Sequence, residues 1–378
     1  MAPAERKYVM VYETLKSEIL SGKFRVHSAF PSKARIVRRF GIANLTAVRV
    51  LELLKQEGLV VAQQGRGTFV AKRVLSRKIG LVVPGVAYTE FFPPVVDEIS
   101  RIAQRQNYSL LLGNLCSRDI DVLASESKNL AHQLVNEKVD GVIFQPVEKL
   151  ATADGVNGEI LSIFKQANIP VVLTDYDVSP SPVRSEYDVV GINNFDAGYR
   201  VASHLIEVGA RHICFLVRSD RAPSHQNRLR GVVAAVEMIG RGRCRWSVMD
   251  ADSDDVNAFR RIWRKKDRPD AFVCGNDDEA ATFKRMIERI GLNVPDDVML
   301  AGFNDVRFAS ILTPPLTTIH QPCREIGATV FRMLLERIEH PELPSREVYL
   351  PAPLVVRAST CRKPISCGAK RNKMRKTK

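Results

Sequence analysis

The sequence has no run of about 18 consecutive apolar residues, so no segment is expected to cross a membrane as a helix. Met1 to Lys7 lack the basic-then-apolar pattern of an export signal, and the chain is expected to work in the cytoplasm. Its seven cysteines, Cys116, Cys214, Cys244, Cys274, Cys323, Cys361 and Cys367, are odd in number and form no CxxC pair. Scattered thiols in a long chain fit a reducing compartment better than a disulfide framework. There is no GxxxxGK phosphate loop, no HExxH and no GxSxG, and the histidines are dispersed. Neither an enzyme nor a cofactor or metal is expected.

What is abundant is positive charge, unevenly placed. The formal net charge is +14. Residues 1–78 hold 16 Lys and Arg against 5 Asp and Glu; residues 359–378 hold 8 against none; the middle carries a net charge of −5. A basic head on a slightly acidic body suggests that the head meets a polyanion. The 378 residues allow two or three compact units at roughly 100–200 residues each.

In the head, Val11, Leu15 and Ile19 recur at four-residue spacing, which predicts a helix over 8–20. Ser32 is a good N-cap for a second helix that ends at Gly41. A third helix runs from about Asn44 to Glu57, with Ala47, Val50, Leu51 and Leu54 facing inward. Two helices joined by a short glycine turn suit a helix-turn-helix, whose second helix leads into the major groove with its N-terminal residues. Those are Asn44, Leu45, Thr46 and Arg49. Asn and Arg can bond base edges in bidentate fashion. Two short apolar runs then flank Gln63-Gln64-Gly65-Arg66-Gly67, which predicts a hairpin with a thin basic tip.

Residues 8–72 resemble the GntR-type winged helix-turn-helix. The markers are Ile19-Leu20-Ser21-Gly22, Phe30-Pro31-Ser32, Phe40-Gly41, Leu53-Leu54-Lys55-Gln56-Glu57-Gly58 and Gly65-Arg66-Gly67-Thr68-Phe69-Val70, in that order. The resemblance implies binding of a double-stranded DNA operator by Lys33, Arg35, Arg38, Asn44, Leu45, Thr46, Arg49, Gln64, Gly65 and Arg66. Two departures fall where DNA would be read. Pro31-Ser32-Lys33-Ala34 replaces the usual Pro-Ser-Glu-Arg, and Ala43-Asn44-Leu45-Thr46-Ala47-Val48 replaces Ser-Arg-Thr-Thr-Val-Arg. Asn44 is the candidate cap of the third helix in place of Ser.

Residues 73–78 read as a short linker. From 79 to 358, short apolar runs alternate with helical patterns, which predicts parallel sheets with helices on both faces. Ligands of such sheets bind at the carboxyl ends of strands. Ile79-Gly80-Leu81-Val82-Val83-Pro84, Val139-Asp140-Gly141-Val142-Ile143, Gly302-Phe303-Asn304-Asp305 and Pro315-Leu316-Thr317-Thr318-Ile319 resemble the LacI/GalR-type, periplasmic-binding-protein-like effector domain. The fold implied is α/β: a winged helix-turn-helix followed by a two-lobed domain with parallel sheets, as in arabinose-repressor-like regulators.

Position by position, the resemblance implies an effector site of Tyr88, Phe91, Phe92, Asp175, Arg228, Asn276, Asp277 and Asn304. Such groups suit a sugar: Arg offers a fork of donors, carboxylates accept hydroxyl protons, and aromatic faces cover a sugar ring. Asn304 stands where the family usually has Asp. Each position also has a plainer reading. Asp175 could cap a turn, Tyr88 and Phe91 could be core aromatics, Arg228 could be a surface ion-pair residue, and Asn276 could hold a turn.

Proline clusters place the crossings between the lobes near Tyr176–Arg184, Pro314–Ile319 and Pro341–Pro344. Residues 359–378 are expected to form a basic, disordered tail. The function implied is a homodimeric transcription regulator, a repressor in the first instance, whose lobes close on a sugar and re-space the DNA heads. The alternative is an exported or cytosolic solute-binding protein without a DNA role.

Overall fold

The computed structural model describes residues 3–20, 23–64, 66–71, 77–83, 90–113, 115, 117, 119–147, 153–179, 182–217, 223–250, 252 and 254–362. Gly65, Tyr88, most of the expected linker (73–76) and most of the expected tail (363–378) lie outside these. The chain divides into one unit of Met1–Lys78 with Gln104–Ser109, and a second of Ile79–Ala103 with Leu110–Lys378.

The first unit is built by α1 (Pro3–Leu20), α2 (Lys33–Phe40), α3 (Asn44–Gln56), β1 (Val60–Gln63) and β2 (Gly67–Val70). Val11, Leu15 and Ile19 of α1 are buried against Ile36, Ala47, Val50 and Leu54, the inward faces of α2 and α3. Ser32 caps α2 by accepting from the Arg35 amide, and Gly41 ends it at φ 61°, a left-handed geometry that glycine adopts without a Cβ penalty. The cap of α3 is Ala43, whose side chain offers no hydrogen bond. Asn44 is therefore the first helical residue and not the cap expected from the sequence. β1 and β2 pair antiparallel with Val60 opposite Val70, and Ala29 bridges to Phe69 on the other side of β2.

The second unit carries two six-stranded sheets. In chain order its elements are β3 (Arg77–Val82), α4 (Phe92–Gln106), β4 (Tyr108–Leu112), α5 (Ile120–Asn136), β5 (Gly141–Phe144), α6 (Ala153–Gln166), β6 (Val171–Thr174), β7 (Asp188–Ile192), α7 (Asn194–Glu207), β8 (His212–Val217), α8 (Pro223–Ala235), β9 (Arg245–Asp250), α9 (Val256–Trp263), β10 (Ala271–Cys274), α10 (Asp277–Arg289), β11 (Met299–Asn304), β12 (Thr317–His320), α11 (Cys323–Glu339), β13 (Glu347–Leu350) and β14 (Leu354–Val355). Sheet one runs β13-β7-β6-β5-β3-β4, and sheet two runs β14-β12-β11-β10-β8-β9. Strands β5, β6, β7, β8 and β10 are buried throughout, as expected for parallel strands covered by helices on both faces.

The crossings between lobes differ from the sequence expectation. β7 belongs to sheet one, so the first crossing is at Asn193, after β7. The second lies at Gln321-Pro322, between β12 and α11, and the third at 351–353, between β13 and β14. An ion-pair clip explains why β7 stays in the first lobe. Asp188 accepts from Arg337 Nε at 3.0 Å and Nη2 at 2.8 Å, and from the Arg346 amide at 2.7 Å. Its carboxylate is wholly buried, and such a pair is costly to break because it would leave a buried charge uncompensated.

The ordered body also runs past 358. Ser359 Oγ donates to the Leu300 carbonyl and accepts from the Thr317 amide, and the Thr360 hydroxyl pairs with His204 Nε2 at 2.8 Å. Arg362 donates to the carbonyls of Pro295 and Asp270. Residues 359–362 are thus part of the second lobe, because small hydroxyl side chains there satisfy buried backbone groups.

Candidate functional site

On the head, α2 and the start of α3 present a polar, basic surface. Lys33, Arg35, Arg38, Asn44, Arg49, Gln64 and Arg66 are exposed and Thr46 is half-buried. Leu45 is 83% exposed, an apolar side chain in water at the N-terminus of α3. Arg49 lies over the Tyr8 ring with 4.6 Å between guanidinium carbon and centroid, a cation–π stack that holds its planar fork. Arg39 is bound to Glu18, with Nη1 donating at 2.7 Å, and holds that carboxyl down at about 2. Arg39 therefore braces α2 against α1, whereas Lys33, Arg35 and Arg38 form no ion pair among the described residues.

In the body, strands from both sheets end at the crossings. Arg228, on α8, is 3% exposed. Its Nε donates to Asn194 Oδ1 at 2.8 Å, its Nη1 donates to the Gly275 carbonyl at 2.6 Å, and its plane lies over the Phe303 ring at 4.6 Å. Asp175 follows β6 at φ 77° and is buried. Burial pushes its carboxyl up, and the Arg228 charge opposes that rise. Asp175 from the first lobe and Arg228 from the second thus sense each other across the crossings.

Helix α8 reaches this place through an unusually close approach to α7. A Cβ on Gly198 would fall on the Arg228 carbonyl, and one on Gly231 on the Phe195 carbonyl. Only hydrogen at both positions lets the two backbones touch.

The head matches the family description "Bacterial regulatory proteins, gntR family" over residues 7–70, and the body matches "Periplasmic binding protein-like domain" over residues 202–360. The chain joins a gntR-type DNA-binding domain to a periplasmic-binding-protein-like domain. It is 27% identical to an arabinose metabolism transcriptional repressor of Geobacillus stearothermophilus over 368 residues, 94% of this chain and 97% of that one. It is 29% identical to the HTH-type transcriptional repressor PurR of Vibrio vulnificus, covering 75% of this chain and 80% of that one. Among solved structures, transcription regulator GntR from Chromobacterium violaceum superposes with a TM-score of 0.60 at 27% identity, covering 75% of this chain and 99% of that one. The chain is a DNA-binding transcription regulator, and the alternative of a binding protein without a DNA role falls with the gntR match. No helix among the described residues is long and apolar enough to cross a membrane.

The regulator's expected effector residues divide into two groups. Asp175 and Arg228 come together. Asn304, at φ 109°, accepts from Gln321 Nε2 at 2.7 Å, which ties the end of β11 to the second crossing. The neighbouring Asp305 is held by Arg357 at 2.6 Å and His320 at 2.9 Å. Phe91 and Phe92 are buried and pack edge to face, 4.7 Å between centroids.

Asn276 and Asp277 have structural work. Asn276 caps α10 by accepting from the Glu279 amide at 2.8 Å. Asp277 is 0% exposed, and its two oxygens accept from the Thr318 hydroxyl at 2.7 Å and the Val306 amide at 3.1 Å. Burial outweighs both hydrogen bonds and lifts its carboxyl to about 7.

Sequence reading missed three residues beside Asp175: Gln145, Thr174 and Gln321, each buried with an oxygen that has no hydrogen-bond partner. Gln145 and Thr174 carry a signal that could have found them: each is the first polar side chain at the carboxyl end of an apolar strand run. Gln321 carries none.

Proposed function

We propose that this regulator is a cytoplasmic, homodimeric repressor whose DNA affinity is set by a sugar bound between the lobes. The carrying observation is the Asp175–Arg228 pair, with opposite charges buried on opposite sides of the lobe crossings. A ligand bridging such a pair favours the closed arrangement of two lobes, and hinge closure is the repertoire of this architecture. The 27% identity to an arabinose metabolism repressor along nearly the whole chain supports a sugar.

On this reading, Asp175, Arg228 and Asn304 hold the ligand's hydroxyls, with Phe91, Phe92 and Tyr88 on the apolar side. Lys33, Arg35, Arg38, Gln64, Gly65 and Arg66 meet phosphates, and Asn44, Leu45, Thr46 and Arg49 meet base edges. The named relatives are regulators, and the ligand leaves this protein chemically unchanged. Half-sites about 34–36 Å apart would match one helical turn of DNA.

The test is selection of bound genomic fragments by the purified protein, with and without a panel of pentoses, hexoses and disaccharides. An enriched palindrome released by one sugar is the expected result. A palindrome that no sugar affects, together with release by another class of metabolite, would remove the sugar from the proposal.

A further inference from the structure

Strands β8, β9, β10 and β11 run parallel. The segments that lead into them, before His212, Arg245, Ala271 and Met299, therefore meet at the amino end of sheet two. Those segments are rich in cations. Arg211, Arg243, Arg264, Lys265, Lys266 and Arg289 are exposed, and none forms an ion pair among the described residues. The carboxylates of the same segments are fewer. Asp267 is taken by Arg245 at 3.3 Å, and Asp270 accepts from the amides of Arg211 at 3.1 Å and His212 at 3.0 Å. Glu207, Glu237 and Asp296 are left.

The charge is sorted along the strands. β9 opens on Arg245 and closes on Asp250, and α9 runs back from its cap Asp255 to Arg264. A cation at a helix C-terminus also answers the helix dipole, which accounts for Arg264 and Arg289. Arg211 and Arg243 stand before strands and have no such role.

The surface is preformed. His212 Nδ1 and Arg245 Nη2 both donate to the Asp267 carbonyl at 2.7 Å, which pins the turn carrying Lys265 and Lys266 to the starts of β8 and β9. Arg268 lies over the Trp263 ring at 4.5 Å. The chain then continues the charge. Arg362 donates to the Asp270 carbonyl at 3.0 Å and the Pro295 carbonyl at 3.2 Å, so residue 362 stands at this same end, beside the entries to β10 and β11. Residues 363–378 hold seven Lys and Arg and no Asp or Glu.

Unpaired cations spread over one preformed surface fit a polyanion of regularly repeated charge. DNA, which this regulator binds, carries one phosphate charge per about 1.7 Å of duplex. We infer that the amino end of sheet two is a second DNA-contacting surface, which holds the phosphate backbone without reading sequence. It adds affinity for any duplex, whereas the head selects the operator.

Arg243→Gln, Lys265→Gln and Lys266→Gln are combined in the full-length protein. A control triple, Lys138→Gln, Arg307→Gln and Arg332→Gln, removes the same charge from exposed positions elsewhere on the body. Each is titrated with a random-sequence duplex and with the selected operator duplex over a range of salt concentrations, and a thermal melt checks folding. The first triple should melt like the parent and lower the slope of log K against log salt concentration by about 2–3 on both duplexes. Its affinity for the random duplex should fall at least about tenfold near 0.1 M salt. The control should keep the parent's slopes, and exchanging the same three for other cations (Arg243→Lys, Lys265→Arg, Lys266→Arg) should keep them too. Equal slopes in the first triple and the parent overturn the inference. So does an equal fall in both triples, which is the effect of net charge alone, and so does a loss confined to the operator. Unchanged DNA slopes with lost binding of poly-L-glutamate would assign the surface to an acidic protein instead.

Discussion

Arg228 donates from Nε to Asn194 Oδ1 at 2.8 Å, and Asn194 is the first residue of α7, directly after the first lobe crossing. The guanidinium proposed to hold ligand is therefore fastened to the segment about which the lobes would turn. Arg228→Ala removes the fork and leaves Asp175 buried without its counter-charge. The expected outcome is loss of the effector response in a DNA-binding assay, with operator affinity in the absence of effector close to that of the unaltered protein. An Arg228→Ala protein that still responds at the same effector concentration shows that the ligand binds elsewhere.

The backbone contact of α7 with α8 makes a paired stability prediction. Gly198→Ala or Gly231→Ala places a methyl on a carbonyl oxygen of the facing helix. The helices must part, at a cost of about 2 kcal/mol or more. Gly158, inside α6, has open space where its Cβ would be, and Gly158→Ala should stabilise by about 1 kcal/mol through helix propensity. Chemical denaturation of the three variants checks both signs, and equal midpoints for Gly198→Ala and the parent would contradict the packing.

Most of the head was readable because its signals are local. Helix period, a Ser cap, Gly41 and the Gly-rich hairpin tip each act within a few residues. The lobe crossings were not readable for the opposite reason. Asp188-Val-Val-Gly-Ile192 looks like any other buried strand, and its place in sheet one is fixed by Arg337 and Arg346, about 150 residues away. The candidate effector site was legible only in part. Asp175 and Arg228, two of the residues expected there, lie near enough for the Arg228 charge to act on Asp175. Asp277 looks identical in sequence to a ligand carboxylate, but its partners Thr318 and Val306 are distant in the chain. The crowd of unpaired oxygens around Asp175 depends on strand register and on Gln321 arriving from the far side, which no local pattern encodes.

Asp277 also sets a pH dependence. Its folded carboxyl sits at about 7, above the ordinary value of 3.8, because burial disfavours the charge. The folded state thus holds a proton that the unfolded chain releases near pH 4. The associated stability is complete below about pH 4 and declines as pH rises through 7, by up to about 4 kcal/mol. Asp277→Asn cannot ionise. The stability of the native protein minus that of the variant should fall between pH 4.5 and 7.5, measured by urea denaturation. A difference independent of pH would mean that the Thr318 and Val306 hydrogen bonds keep the carboxylate ionised throughout.

The head separates two kinds of DNA contact that different substitutions should expose. Lys33, Arg35 and Arg38 are exposed cations on α2, and a cation on phosphate contributes affinity without sequence information. Replacing each by Ala should lower the slope of log K against log salt concentration by about 1 while leaving the ratio of operator to random-DNA affinity unchanged. Leu45 carries no charge and is the most exposed large apolar side chain of the head, in the first turn of α3. An apolar group there can touch a thymine methyl. Leu45→Ala should leave the salt slope alone and reduce the operator ratio by about 1 kcal/mol, with the loss confined to operators carrying A·T at one position. Arg49→Ala should cost about 1–3 kcal/mol of specific binding if the arginine reaches a base edge from its stack on Tyr8. Equal operator affinity in that variant would leave the stack as a brace between α1 and α3, and the reading of sequence to Asn44, Leu45 and Thr46.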